Sequence, residues 1–90
     1  MSDFKNIRLS TRLAILLQLN SARPVSLTES ALEEGLKIAE LFRGQKNLLA
    51  ELDFLELKNF IESFSNELSQ SSKRYKLTLT GVEYLEKEGY

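Results

Sequence analysis

Apolar residues recur at helical spacing along most of the chain and switch to strict alternation only near the C-terminus. Leu9, Leu13, Leu16 and Leu17 share one face of a first helix, predicted over Ser10–Ala22 with Ser10 as its cap. Ala14, Ile15 and Leu19 widen that face until most of the helix is apolar, which places it in the middle of a core. Pro24 ends it, and "PVSL" gives a short extended segment. Thr28 then caps a second helix, predicted over Glu29–Arg43, with Leu32, Leu36, Ala39 and Phe42 on its inner side. Gly44 is read as its C-terminal stop. Glu33 and Lys37, four apart, pair on the outer side.

The next stretch, "NLLAELDFLELKNFIESFSNEL", carries two apolar series. Leu48, Leu52 and Leu55 form the first; Leu57, Ile61, Phe64 and Leu68 form the second, nearly opposite the first on one helix. A single helix would be apolar on both sides, so either it is sandwiched between partners or the chain bends or breaks near Asp53; the second is favoured, because Asp53-Phe-Leu-Glu56 has capping-box spacing. "SNELSQSS" reads as a polar turn. In "KRYKLTLT", Tyr75, Leu77 and Leu79 alternate with Arg74, Lys76 and Thr78, which predicts a strand. Thr80 is taken as the cap of a short last helix holding Val82 and Leu85.

Ninety residues make one domain, 1–90. The longest uninterrupted apolar run, Leu13 to Leu17, is far too short to cross a membrane. Arg8 and Arg12 ahead of "LAILLQL", with "NSARP" behind it, loosely imitate a signal peptide. Gln18 interrupts that segment, and the reading taken is a buried helix in a cytoplasmic protein. The chain has no Cys and no His, which removes disulfides, thiol chemistry, the commonest general base and the commonest transition-metal ligand. Glu33 and Glu34, like Glu51, Asp53 and Glu56, stand beside no nucleophile or phosphate-loop motif and read as a solvated acidic face. No enzyme, metal or cofactor is expected.

The spacing Tyr75-x-Leu77-Thr78-x-x-Gly81-x-x-x-Leu85 resembles the Y-x-L-T-x-x-G-x-x-x-L segment of winged-helix transcription regulators of the PadR and MarR kinds. In those families the first part is the last strand of the wing, and Thr starts the exit. Gly takes the turn, and Leu anchors the following helix on the core. The resemblance implies a mostly α, winged-helix-like fold with three core helices, a short wing strand or hairpin and a C-terminal helix.

It also implies a small DNA-binding transcription regulator acting as a homodimer, with double-stranded DNA as partner. Two clusters suit that role. Arg43, Gln45, Lys46 and Asn47 fall at the start of the third helix, where base and phosphate contacts concentrate in a helix-turn-helix. Lys73, Arg74 and Lys76 lie beside the wing, placed for phosphates. The charge distribution keeps a second reading open. Residues 1–25 hold four bases and one acid, residues 26–68 hold nine acids and four bases, and residues 69–90 hold four bases and three acids. An acidic middle with a doubled apolar face, and with Phe54, Phe60 and Phe64 either in the core or on a patch, also fits an adaptor that binds another protein.

Overall fold

The computed structural model describes residues 2–66 and 69–90. In chain order they form α1 (Ser2–Ala22), β1 (Leu27–Thr28), α2 (Glu29–Ile38), α3 (Gln45–Leu57), β2 (Ile61–Asn66), β3 (Ser69–Leu77) and α4 (Leu79–Lys87). The strands make one antiparallel sheet in the order β1-β3-β2. β2 and β3 are the two arms of a hairpin, with Ile61 opposite Leu77 and Ser63 opposite Tyr75. β1 closes the other edge through Leu27 opposite Tyr75.

The core gathers the inner faces of all these elements. Ile15, Leu16 and Leu19 come from α1, Leu32 and Leu36 from α2, and Leu48, Leu52 and Leu55 from α3. Ile61, Tyr75 and Leu77 come from the hairpin, and Leu85 from α4. Phe54 and Phe60 pack against this core, whereas Phe64 is exposed. The central position of α1 agrees with its apolar breadth, but the helix starts at Ser2 and not at Ser10. Leu9 on its early turns is 52% exposed and does not join the core.

Three helices end in the same way. After α2, α3 and α4 one residue takes a positive φ: Glu40 (61°), Asn59 (63°) and Gly89 (91°). The amide of the following residue then reaches back five residues: Leu41 to the Leu36 carbonyl, Phe60 to Leu55 and Tyr90 to Leu85. This is the Schellman arrangement, which satisfies carbonyls that a helix end leaves unpaired. It corrects two sequence boundaries. The second helix stops at Ile38, not Arg43, because Glu40 and not Gly44 makes the left-handed turn. The third helix passes unbroken through Asp53 and stops at Leu57, because Asn59 makes the turn.

The segment after Asn59 is strand, although Ile61 and Phe64 have helical spacing. Pairing with β3 decides it: Ile61 faces the core, and Phe64 sits outside, opposite Arg74. Ser69–Ser72, read as a turn, are the first residues of β3; Glu67 and Leu68 lie outside the described residues.

The exit from the wing is built on Thr78, not Thr80. Thr78 Oγ1 accepts from the Gly81 amide at 3.0 Å and donates to the Asn59 carbonyl at 2.6 Å. The Thr78 amide donates to the Phe60 carbonyl at 3.0 Å. Gly81 is buried against that same carbonyl, and a Cβ there would overlap the Phe60 oxygen. Leu79, expected on the inner face of the strand, lies in the first turn of α4 and is 75% exposed.

Candidate nucleic-acid interface

α2 and α3 are joined by Ala39–Gly44 and carry the helix-turn-helix. Thr28 caps α2 through a 3.1 Å bond from the Ala31 amide. Gly44 stands at the N-cap of α3 with φ 100° and ψ 157°, a region open in practice only to glycine. It supplies no side-chain cap to the first amides of α3, which form the positive pole of that helix.

The four residues proposed at this end are placed differently from one another. Lys46 is exposed and makes no ion pair among the described residues. Gln45 is exposed, with its amide nitrogen donating to Glu29 Oε1 at 2.9 Å, which ties the start of α3 to the start of α2. Arg43 folds back on its own loop, donating to the carbonyls of Glu40 (3.4 Å) and Phe42 (3.2 Å). Asn47 is half-buried and lines a cleft of about 220 Å³ with Arg8, Thr11, Arg43 and Glu51. Arg8 of α1 thus lines the same cleft as Arg43, a grouping that the linear sequence does not show.

Beyond the first turn, α3 turns Leu49, Ala50, Asp53 and Leu57 outward, with Gln45 and Lys46 completing the same arc. Leu48, Glu51, Leu52 and Leu55 face inward. Of the three acids on α3, Glu51 is therefore not part of an outer acidic face. Its carboxylate is buried and meets Arg12 of α1, Nε to Oε2 at 2.7 Å. The Arg12 guanidinium lies 3.6 Å from the centre of the Phe54 ring. On α2, Lys37 pairs with Glu33 at 3.0 Å, and the hydrogen bond to Glu33 holds its ammonium above the ordinary value.

On the wing, the three basic residues also differ. Lys73 is exposed; its ammonium lies 5.7 Å from the Tyr75 ring and makes no ion pair among the described residues. Lys76 pairs at 3.3 Å with Glu62, its direct neighbour on β2. Arg74 donates through Nε to Ser26 Oγ at 2.8 Å and through Nη2 to the Ser26 carbonyl at 3.1 Å, fastening β3 to the entry of β1. Ser26 carries no sequence signal, because the contact spans 48 residues.

A second hollow, about 530 Å³, lies between α1, the end of α3 and α4. Phe60 and Tyr84 stack at its edge with ring centres 4.6 Å apart, and Leu9 and Tyr90 leave apolar surface exposed around it.

No family model matches the sequence, and neither does any curated protein. The chain is similar to solved structures, among them the following two. A PadR-like transcription factor from Bacteroides fragilis superposes with a TM-score of 0.74 at 22% identity, over 96% of this chain and 82% of that one. A PadR family transcription regulator from Clostridium difficile R20291 superposes with a TM-score of 0.63 at 24% identity, over 83% of this chain and 81% of that one. These superpositions show that the chain has the winged-helix fold of PadR-type regulators.

Proposed function

We propose that this protein binds double-stranded DNA and regulates transcription as a homodimer, with α3 in the major groove and the β2–β3 wing on the phosphate backbone. The observation that carries the reading is the exposed outer face of α3. Its uncapped N-terminus, the exposed Lys46 beside it and the outward arc behind it form a convex element of a size that a major groove admits. The winged-helix fold, shared with two proteins described as transcription regulators, supports the same reading. The dimer has its support in the apolar rim of the α1–α3–α4 hollow, which a second copy can cover.

In this reading Lys46 and Lys73 supply phosphate contacts, since both ammonium groups are exposed and unpaired among the described residues. Arg43, Gln45 and Lys76 contribute after releasing or sharing the partners they hold, and Asn47 contributes from the edge of its cleft. The test is binding to a random duplex at two salt concentrations. Affinity should fall steeply with salt, and Lys46→Ala and Lys73→Ala should each lower the salt slope by about one. Absence of binding at low salt would sink the proposal.

One observation favours a second reading. Leu57 is 80% and Leu49 44% exposed on the outer face of α3, on either side of Asp53. That face also suits an adaptor that docks another protein. It predicts no salt-sensitive DNA binding and a loss of partner binding on Leu57→Ser.

A further inference from the structure

We infer that the outer face of α3 reads A·T pairs through the 5-methyl groups of thymine, with Leu49 and Ala50 as the contact residues. This rests on the DNA-binding reading and specifies the sequence class that the same helix selects.

Each base pair shows a distinct edge in the major groove, and guanine is read best by a bidentate Arg or Lys. Among the outward residues of α3 there is a single cation, Lys46, and no Arg. Gln45 precedes it, Leu49 and Ala50 follow after one turn, and Asp53 follows after another. Leu49 and Ala50 are exposed and hold no place in the core. The thymine methyl is the apolar group that the major-groove edges present, and aliphatic side chains are its complement.

Position along the helix agrees, because base contacts concentrate near the N-terminus of a recognition helix. At 1.5 Å per residue, Leu49 lies roughly 6 Å along the axis from Gln45 and Leu57 roughly 18 Å. Asp53, a pure acceptor, suits the exocyclic amine of adenine or cytosine and opposes a phosphate at the same place. The uncapped N-terminus of α3 and Lys46 supply the attraction to the anionic duplex that the apolar residues lack.

The experiment starts with selection from a random duplex pool at low salt. It continues with the best duplex carrying deoxyuridine for thymine at each selected position in turn, which deletes only the methyl. Enriched half-sites should be A·T-rich. One or two uridine substitutions should weaken binding about fourfold each, the value of one buried methyl-sized group. Leu49→Ala, at a position partly open to solvent, should bind the thymine duplex more weakly and lose most of its discrimination against uridine. Unchanged circular dichroism checks its fold.

Equal binding of thymine and uridine duplexes by the natural chain overturns the inference while leaving DNA binding intact. Selection of guanine at the contacted steps does the same. If no duplex is retained at low salt, the DNA reading itself fails, and the apolar face belongs to a protein partner.

Discussion

Arg12 and Glu51 join α1 to α3 across 2.7 Å, with the Arg12 guanidinium stacked on Phe54 one turn beyond Glu51. The two side chains keep only 17% and 6% of their surface in water. A pair so desolvated adds little net stability over an apolar replacement, yet losing one partner strands the other charge. Glu51→Leu alone should therefore cost about 2–4 kcal/mol in urea unfolding, and Arg12→Met with Glu51→Leu should recover most of that loss. A strictly additive double variant would show that the two groups are not coupled.

Gly81→Ala should destabilise by about 2–3 kcal/mol, since the added methyl meets the Phe60 carbonyl oxygen, which is backbone and already holds the Thr78 amide. The cause is close approach between the wing exit and the end of α3. A positive φ is not involved, because Gly81 lies inside α4. A loss below about 0.5 kcal/mol by urea unfolding would mean that the α4 entry shifts freely away from Phe60.

Glu40→Gly should stabilise the fold by about 1 kcal/mol, read as a higher urea midpoint at unchanged slope. Glu40 sits at φ 61° at the end of α2, a conformation that costs an ordinary residue about 1–2 kcal/mol and glycine very little. Its two capping bonds, Glu40 amide to Lys37 and Leu41 amide to Leu36, are made by backbone and survive the change.

Glu40 also marks a limit of local sequence information. A helix end is signalled by glycine, so Gly44 draws the expected boundary of α2 forward, whereas Gly44 opens α3. The D-x-x-E spacing at Asp53 suggests a false break, because an acid pair inside a helix has the same spacing as a cap. β2 is hidden for a different reason. Ile61 and Phe64 are three apart, and only pairing with β3, more than ten residues away for every core-facing pair, makes them strand. By contrast Tyr75, Leu77, Thr78 and Leu85 each carry a local constraint and sit where their spacing places them, whereas Gly81, expected to take the turn, lies inside α4 and serves the close approach to Phe60. At the candidate interface, exposure of Lys46 and Lys73 follows from local pattern. The partners of Arg74, Lys76 and Gln45 do not, since each belongs to another element.

Stability should fall at alkaline pH, and Tyr75 should account for part of the fall. Tyr75 is 1% exposed, and burial, helped by the charges of Glu29 and Glu56, raises its hydroxyl above the ordinary value of 10.0. A raised folded value means that the unfolded chain ionises first. The contribution is whole below pH 10.0 and is lost as pH rises through the folded value. Lys37, also raised, acts in the same direction from its ordinary 10.5 upward. Tyr75→Phe should flatten the stability curve above pH 10.0 relative to the natural chain. Parallel curves would show that the Tyr75 hydroxyl ionises equally well in the fold.

Arg74 and Lys73 are neighbours in sequence but should separate cleanly by experiment. Arg74 commits its guanidinium to the hydroxyl and carbonyl of Ser26, and this holds the β1 edge of the sheet against β3. Hydrogen bonds from a charged donor contribute about 1.5–3 kcal/mol. Arg74→Ala should therefore lower the unfolding free energy by about 1–2 kcal/mol after solvent fills the site, with little change in the salt slope of DNA binding. Lys73→Ala should leave stability within about 0.5 kcal/mol and lower that slope by about one, because its exposed ammonium holds no carboxylate among the described residues. If Arg74→Ala instead kept its stability and lost a unit of slope, the guanidinium would be a phosphate contact. The Ser26 bonds would then be a resting position from which Arg74 swings onto DNA.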